Sequence, residues 1–440
     1  MNTATLQKTA LYIFYGLLAY MPLHIFVSTW IGTSWYILPF AKVAKDIVLL
    51  LGFFCALVAA YRSEWFRGLY KQRLVQLIAA YAAITVLVAL LRPTDQDAEV
   101  LGVVYNLRLF VMFLYAAMLS QLFSVKKLVS QSVKIVLAMG LLVAAFGVVQ
   151  YTLLPDEALT GVGYSRQNGV LPAFFIDDKP DLERVMSTLR DPNSLGSYLL
   201  IIISLSTVLL AKYWQNQDIR KVLLGALALS LLSLVFTFSR SAWLGLLVVA
   251  GVYLLSYPKK IVVSKKAVYA IIAVSTVLTL ALLGLFTFAG NSYVVQNVIF
   301  HADQSTTLED PNQLRIRFLQ ESVEDIAQQP LGGGPGTAGL ASIKNDKQGT
   351  ILNENYYLQI ATEVGIIGLL LFLAILYLVA KQLWLQRSNP VALALLVSLA
   401  GLCVTNMLVH IWSNEAVAYT WWGLAGLLFV PKAGKQQTNK

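Results

Sequence analysis

Two arginines in the sequence have positions that suit the binding of an anion. Arg240, in "TFSRSAWLGLL", is the single charged residue within positions 222–257. A guanidinium keeps its proton and is costly to bury, so it needs an anionic partner or an aqueous surface. Arg190, in "TLRDPNSLG", stands beside a predicted helix start that Asp191 or Asn193 can cap. Because backbone N–H groups at a helix start already attract an anion, we predict an anion site here.

Other charged residues are second candidates for this site. Arg108 lies in the apolar stretch "YNLRLFVMF", and such residues usually face the interior of a helix bundle. Arg315 borders the apolar stripe of "NQLRIRFLQESVEDIAQQP", whereas Arg317 points away from it and is expected in solvent. Alternatively, the stretch that contains Arg315 and Arg317 is an interfacial helix that rests on lipid with its arginines at the surface. Lys45 and Asp46 either support the site or simply neutralise each other.

A second stretch, "NENYYLQIATEVG", offers acid–base chemistry. It places Glu354, Asn355 and Tyr356 at the predicted start of a helix, which Asn353 or Asn355 can cap. A glutamate whose pKa is raised by partial burial can take a proton from an attacking hydroxyl. Helix capping, with Glu354 stabilised by the helix dipole, is the alternative explanation of the same residues.

The sequence also argues against several other kinds of site. Its two cysteines both lie in apolar runs and form neither a disulfide framework nor a zinc site. The glycine-rich stretch "PLGGGPGTAG" is not a nucleotide-binding loop, since no lysine followed by serine or threonine comes after Gly336. We expect a tight turn with close backbone approach there. No ligand spacing indicates a metal, and we expect no cofactor.

The elements that must position these residues are transmembrane helices. Hydrophobic residues make up 58% of the chain and charged residues 13%, against about 25% charged in an average soluble domain. A spanning helix needs about 20 mostly apolar residues. The segments that qualify are 8–28, 39–61, 74–92, 102–122, 132–153, 193–213, 222–239, 241–257, 267–289, 356–380, 390–411 and 416–431. We therefore predict an all-α integral membrane protein, a single domain over 1–440, with about twelve spans.

A helix break near Arg240 and the orientation of the chain follow from this arrangement. Positions 222–257 as one helix would be about 54 Å long, well beyond the roughly 30 Å of a hydrocarbon core. Lysines and arginines gather on one set of loops, which places both termini in the cytoplasm and the long loops 154–192 and 290–355 outside. The net charge of +10 mostly reflects this topology and indicates no nucleic-acid partner. Arg240 then lies at the outer surface.

Several motifs, in this order, resemble the superfamily of O-antigen ligases and O-antigen polymerases. They are "LRDPNSLG", "FTFSRSAWLGLL", "PLGGGPGTAG", "ENYYLQIATEVGIIGLL" and "HIWSNEAVAYTWWGLAG". The resemblance covers nearly the whole chain and implies a metal-independent C-type glycosyltransferase of the bacterial cytoplasmic membrane, with its site on the outer face. The implied donor is a glycan on undecaprenyl diphosphate, and membrane lipids surround the protein. A chain-length regulator is a further partner that the sequence leaves open.

The resemblance gives the candidate residues their roles. Arg240 and Arg190 would clamp the diphosphate, and Arg240 would compensate its charge during transfer. Glu354 stands where ligases of this superfamily commonly have a histidine followed by asparagine, and it would act as the base, with Asn355 and Tyr356 in support. The departure from histidine slightly favours a polymerase. Separately, we expect the second loop to form an outer cap. A ligase to lipid A core or another acceptor, a peptidoglycan polymerase and a flippase for lipid-linked oligosaccharide stay open.

Overall fold

A computed structural model describes residues 2–61, 64–69, 71–176, 179–256, 311–345 and 354–429. Most of these residues are helical. The α-helices, in chain order, are α1 (Thr3–Tyr20), α2 (His24–Ser34), α3 (Leu38–Tyr61), α4 (Glu64–Leu69), α5 (Arg73–Leu91), α6 (Gln96–Leu122), α7 (Val125–Leu153), α8 (Pro192–Lys212), α9 (Gln217–Phe236), α10 (Arg240–Ser256), α11 (Pro311–Gln328), α12 (Tyr356–Leu385), α13 (Pro390–Asn406) and α14 (Glu415–Leu427).

Eight helical segments among the described residues are long and apolar enough to cross a membrane. They are α1 with α2 as one segment, α3, α5, α6, α7, α8, α9 and α12. Helices α10 and α13 are apolar but only 17 residues long, and α14 has 13 residues. The predicted ninth span, 267–289, lies outside the described residues. The chain is a multi-pass membrane protein, and the number twelve stays a prediction.

Helix α8 lies at the centre of the bundle. In its most apolar window 94% of the residues are buried, a far larger share than in the other spans. Its sequence is apolar or small on every face until Lys212, which is the pattern of a helix surrounded by protein. Helices α9, α10 and α13 pack against it. The start of α8 is therefore a fixed point for the residues around it.

Two glycines let α10 and α13 cross closely. A Cβ on Gly245 would lie 2.8 Å from Thr405 Oγ1, and a Cβ on Gly401 would lie 2.7 Å from the backbone oxygen of Gly245. Small residues at a crossing allow helix backbones to approach in this way. The contact holds the first turns of α10 against the last turns of α13.

The predicted break before Arg240 is confirmed. Helix α9 ends at Phe236 and α10 begins at Arg240. Between them, Phe238 has a φ of 46°, which a continuing helix does not allow. The hydroxyl of Thr237 donates to the backbone oxygen of Leu234 at 2.6 Å and satisfies a carbonyl at the end of α9.

The segment between α7 and α8 contains a small β-hairpin. Strands β1 (Phe174–Ile176) and β2 (Lys179–Arg184) pair in antiparallel register, with Phe174 opposite Arg184. The elements described are otherwise helical, as predicted, and this hairpin is an element that the sequence did not lead us to expect. Its aromatic and β-branched run "FFI" favours a strand, a signal that the sequence analysis did not weigh. The hairpin is tied to the bundle by the Val185 N–H, which donates to the Phe236 oxygen at 3.0 Å.

Helix α12 is interrupted, and the glycine-rich stretch fills the interruption. Gly365 has φ 82° and ψ 174°, so the helical hydrogen bonds fail around it. The Gly333 N–H donates to the oxygen of Thr362 at 2.8 Å, and the Ile366 N–H donates to the oxygen of Pro330 at 2.9 Å. The sequence predicted a continuous span here. The break depends on a partner segment distant in sequence, which periodicity does not reveal.

The expected close backbone approach of the glycine-rich stretch is confirmed. Gly334 and Gly336 have φ values of 111° and 86°. A Cβ on Gly334 would collide with the backbone oxygen of Arg92, and one on Gly336 with that of Ala98. Only glycine can adopt these positive φ values and also approach a neighbouring backbone this closely. The stretch is thereby clamped between α12 and the start of α6.

Candidate functional site

The starts of α8 and α10 lie side by side and define what we call the site end of the bundle. Asp191 caps α8, accepting from the Ser194 N–H at 2.9 Å. Ser239 precedes α10, and its hydroxyl accepts from the Ala242 N–H at 3.4 Å. The Ser239 hydroxyl also donates to Asn193 Oδ1 at 2.9 Å, which joins the two helix starts directly. Two positive helix-dipole ends are thus held together.

Arg184, at the end of β2, fastens this junction. Its Nη2 donates to Asn193 Oδ1 at 3.1 Å, and its Nε donates to the backbone oxygen of Thr237 at 3.1 Å. The guanidinium therefore bridges the first turn of α8 and the break before α10. The partners of Arg184 belong to two other segments, so no local pattern in the sequence indicates this role.

The two arginines of the predicted anion site stand at this junction. Arg190 precedes the capping residue Asp191 and is half-buried. Arg240 is the first residue of α10, follows Ser239 directly and is also half-buried. The backbones of the two arginines are thus on adjoining helix starts, one residue from a capping side chain in each case. This arrangement agrees with the predicted placement, and their diphosphate role stays a prediction.

The start of α12 lies at the same end of the bundle. Asn355 caps it, accepting from the N–H groups of Tyr357 and Leu358 at 3.0 and 3.1 Å. The Tyr357 hydroxyl donates to the Cys403 oxygen at 3.1 Å, on the last turns of α13 that also receive α10. Glu354, half-buried, directly precedes the cap. Capping by Asn355 is confirmed, whereas the role of Glu354 as base stays a prediction.

Lys45 and Asp46 form part of a buried ionic network. The Lys45 ammonium lies 2.9 Å from Asp46 Oδ2 and 3.4 Å from Glu415 Oε1. The Tyr419 hydroxyl donates to Asp46 Oδ1 at 2.8 Å. These contacts favour mutual neutralisation, with Glu415 at the start of α14 as the partner that sequence reasoning missed. A supporting role in chemistry stays a prediction for both residues.

Arg108 belongs to the same network. Its Nη1 lies 3.0 Å from Glu415 Oε1, and its Nη2 donates to the backbone oxygen of Ser413. Its guanidinium stacks on Tyr105, with 4.4 Å between the Cζ atom and the ring centre. Arg108 is 3% exposed. Because its charge is already matched within the fold, we favour a structural role over the diphosphate role that the sequence suggested as a second choice.

Tyr356 and Glu363 lie behind the start of α12. Tyr356 is fully buried and packs edge-on against Phe372. Both carboxylate oxygens of Glu363 are engaged, because Asn106 Nδ2 donates at 2.7 Å and the Gly336 N–H donates at 3.0 Å. Glu363 thus holds the glycine-rich stretch to α12. These contacts suit a structural task rather than that of a base.

The amphipathic helix of the second loop is α11. Arg317 is exposed and pairs with Glu321 at 2.9 Å, one turn further on, which confirms that it faces solvent. Of the stripe residues, Leu319 and Val323 are exposed as well. Their exposure leaves the stripe available to lipid, as the interfacial interpretation expects. The side chain of Arg315 lies outside the described part of the chain, and so does most of the predicted cap.

Two of the three histidines lie in the part of the chain that the structure describes. His24 is buried, with Nδ1 3.2 Å from the Tyr20 hydroxyl, and it lies near the Glu415 carboxylate of the ionic network. His410 is half-buried, and His301 lies outside the described residues. In the part of the chain that the structure describes, no group of three His, Cys, Asp or Glu side chains is placed to hold a metal ion.

One acid in the hairpin region titrates near neutral pH. Burial raises the pKa of Glu183 to about 7, and the Asp156 carboxylate adds to the effect. Glu183 is 8% exposed and directly precedes Arg184 in β2. Near neutral pH the Glu183 carboxyl group therefore gains or loses a proton directly beside Arg184, which joins the starts of α8 and α10.

Comparison with known proteins supports the resemblance. No curated protein matches the chain. Residues 225–373, from α9 to the middle of α12, match the sequence profile of the family described as O-antigen ligase. The matched range contains Arg240, Arg315, Glu354 and Asn355, whereas Arg190 precedes it. This match supports the resemblance of the chain to the superfamily of O-antigen ligases and O-antigen polymerases.

Proposed function

We propose that this protein transfers a glycan from undecaprenyl diphosphate to a sugar hydroxyl at the outer face of the bacterial cytoplasmic membrane. The observation that carries the proposal is the junction of α8 and α10 through Asn193 and Ser239. It puts Arg190 and Arg240 on adjoining helix starts, whose N–H groups and dipoles favour an anion. A lipid diphosphate is the anion that the family match supports as donor.

The reaction is a displacement at the anomeric carbon of the donor. The acceptor hydroxyl oxygen forms the new glycosidic bond, and the bond between the anomeric carbon and the diphosphate oxygen breaks. The departing undecaprenyl diphosphate gains negative charge. Arg190 and Arg240 compensate this charge with forked donors that stay protonated at any relevant pH.

Glu354 accepts the proton of the acceptor hydroxyl. The oxygens of two other acids, Asp46 and Glu363, have defined structural partners instead. Asp46 pairs with Lys45 and accepts from Tyr419, and Glu363 binds Asn106 and the glycine-rich stretch. Glu354 precedes the cap of α12 and occupies the place of the ligase histidine, which supports its assignment as the base.

Polymerisation of lipid-linked repeat units is favoured over ligation to a final acceptor. The reason is the carboxylate at position 354, since ligases of the superfamily commonly have histidine there. Both activities share the donor, the leaving group and the arginine pair. They differ in the acceptor, which is a second lipid-linked glycan for a polymerase and lipid A core or another molecule for a ligase.

The product made by purified protein tests the proposal. The protein, reconstituted in vesicles, is given a defined undecaprenyl-diphosphate repeat unit, and the products are separated by size. Longer lipid-linked chains are expected. Transfer only after addition of lipid A core would identify a ligase instead. Passage of intact labelled lipid across the bilayer without bond cleavage would reject transfer and identify a flippase.

A further inference from the structure

Asn193, on the first turn of α8, has a side-chain amide whose orientation is fixed by its neighbours. Its Oδ1 accepts two hydrogen bonds, from Arg184 Nη2 at 3.1 Å and from the Ser239 hydroxyl at 2.9 Å. A guanidinium has only donors, so the amide atom that faces Arg184 must be the oxygen. The amide therefore cannot turn over without losing this bond, and its nitrogen is the atom left for other partners.

The Nδ2 atom of Asn193 is a donor that the fold holds in place but does not use. Within the described ranges it donates to no protein group. The sequence offered Asn193 as a possible cap of α8, but Asp191 has that role and accepts from the Ser194 N–H at 2.9 Å. Asn193 is half-buried, so part of its side chain is open to a ligand.

The backbone N–H of the same residue is a second donor at this helix start. Pro192 has no N–H group. The N–H groups of Ser194 and Leu195 both donate to Asp191, at 2.9 and 3.1 Å. Over the ranges that the structure describes, the Asn193 N–H donates to no protein oxygen. One residue thus offers a backbone donor and a side-chain donor where the dipole of α8 favours an anion.

We propose that Asn193 binds the diphosphate of the donor, with its Nδ2 and its backbone N–H donating to diphosphate oxygens. The inference rests on the proposed function, which places the diphosphate at Arg190 and Arg240. Asn193 stands on the helix that Arg190 precedes, and its amide is fastened to Ser239, the residue directly before Arg240. A neutral amide adds donors without repelling the two guanidinium groups, whereas a further cation would repel them. Arg184 and Ser239 are positioning residues, because they act on the diphosphate through Asn193.

Three substitutions separate the donor role of Asn193 from its role in joining the helices. Asn193→Asp keeps an oxygen that accepts from Arg184 and Ser239, but it replaces Nδ2 with an oxygen that repels a phosphate. Asn193→Ala removes the donor without adding a charge. Ser239→Ala removes one of the two bonds of the joint and leaves the amide held by Arg184.

Asn216→Asp is the matched control for the added charge. Asn216 also stands at a helix start, where its Oδ1 caps α9. It lies at the end of α9 opposite to the break before Arg240, about 30 Å away along a helix of 20 residues.

The full-length protein in phosphatidylcholine nanodiscs is titrated by calorimetry with inorganic pyrophosphate, and the thermal midpoint of each variant is measured. We expect Asn193→Asp and Asn193→Ala to bind pyrophosphate roughly tenfold more weakly than the wild type, since each loses a hydrogen bond to a charged group. Asn193→Asp should keep a midpoint near that of the wild type. Ser239→Ala and Asn216→Asp should lose less than about threefold in affinity.

Four results would overturn the inference. Wild-type affinity in Asn193→Asp would make Asn193 a structural joint alone. Wild-type affinity in Asn193→Ala beside a weak Asn193→Asp, or an equal loss in Asn216→Asp, would assign the effect to the added charge. An equal loss in Ser239→Ala and Asn193→Ala would assign it to the joint rather than to the amide. A wild type that binds no pyrophosphate would overturn it as well.

The fate of the proposed function is read separately, from glycan transfer by the reconstituted wild type. If no glycosidic bond forms while Asn193→Asp still binds pyrophosphate more weakly than its control, the proposed function fails and the contact of Asn193 with a diphosphate stands. If transfer occurs but both Asn193 variants bind pyrophosphate normally, the inference fails and the proposed function stands.

Discussion

At the scale of single residues, the chemical difference between arginine and lysine matters most for the proposed transfer. Arg240 and Arg190 occupy helix starts where a point charge could also sit. Only the guanidinium offers two parallel donors to neighbouring phosphate oxygens and keeps its proton under all conditions. The role assigned to Arg240 is therefore chemical rather than a matter of charge alone, and a charge-conserving substitution separates the two.

Arg240→Lys should lower the transfer rate roughly ten- to hundredfold while the protein still inserts and folds. The reason is the loss of bidentate contact with the leaving diphosphate. The measurement is turnover of a lipid-linked repeat unit at saturating donor, with the thermal midpoint as a check on folding. Arg317→Lys is the matched control, because Arg317 is exposed and pairs with Glu321. Near-normal turnover of Arg240→Lys would support a lipid-anchoring role instead.

Glu354→Gln should lower turnover by about 10² to 10⁴ with donor binding largely retained, since general-base assistance has that magnitude. The amide preserves shape and hydrogen bonding but takes no proton. Glu354→His should recover part of the activity if position 354 is equivalent to the ligase histidine. Steady-state turnover and donor affinity are measured on the same preparations. Wild-type turnover in Glu354→Gln at saturating donor would reject the assignment and leave helix capping as the explanation.

At the scale of elements, the glycine-rich stretch and the interrupted helix α12 act as one unit. The stretch completes the hydrogen bonds that α12 lacks around Gly365, and Glu363 binds the Gly336 N–H. The start of α12, with Glu354 before it, is thereby attached to α6. An interruption that is filled by another segment holds a defined geometry, whereas an unfilled one would leave backbone groups unsatisfied.

Gly336→Ala should destabilise the protein by about 1 to 3 kcal/mol, because alanine is strained at φ 86° and its Cβ meets the Ala98 backbone. Gly251→Ala in α10 is the control, since a Cβ there meets no neighbouring atom. Thermal midpoints of both variants in detergent make the comparison. If the two midpoints shifted equally, the contact of the glycine-rich stretch with α6 and α12 would make no measurable contribution to the stability of the protein.

The hairpin should make stability depend on pH through Glu183. Its pKa is raised from the ordinary value of 4.5 to about 7, so the folded protein keeps a proton that the unfolded chain has lost. Stability from this group is full below pH 4.5 and falls as pH rises through 7. The wild-type thermal midpoint should therefore decline from pH 5 to pH 8.

The Glu183→Gln variant should show a flatter dependence over this range, because an amide does not titrate. Glu324→Gln on α11 is the control, as that acid is exposed. An identical slope in wild type and Glu183→Gln would assign the pH dependence to other groups.

At the scale of the whole molecule, the arginine charges and the helix dipoles both favour an anion at the site end. The starts of α8 and α10 meet through Asn193 and Ser239, and the start of α12 lies at the same end. The buried network of Lys45, Arg108 and Glu415 ties three further helices together. Helix starts carry partial positive charge, so the site end attracts an anion beyond the effect of any single arginine.

Local sequence was sufficient to predict the long helices that the structure describes and the break before Arg240, and it named Asn355 as one of two candidate caps. Each follows from the length of an apolar run or from a residue beside it. The pairing of Arg108 with Glu415 was not predictable, because the two positions are 307 residues apart and nothing local marks them as partners. The interruption at Gly365 and the role of Arg184 were missed for the same reason, since their contacts lie in other segments.

The most direct test of the central claim is the release of undecaprenyl diphosphate. Purified protein in vesicles is incubated with a repeat unit labelled in both its lipid and its glycan, and the free lipid diphosphate is quantified. We predict one undecaprenyl diphosphate released for each glycan joined to an acceptor, with both products formed roughly ten- to hundredfold more slowly in Arg240→Lys. Labelled lipid that crosses the bilayer with its glycan still attached, and no free diphosphate, would contradict the account.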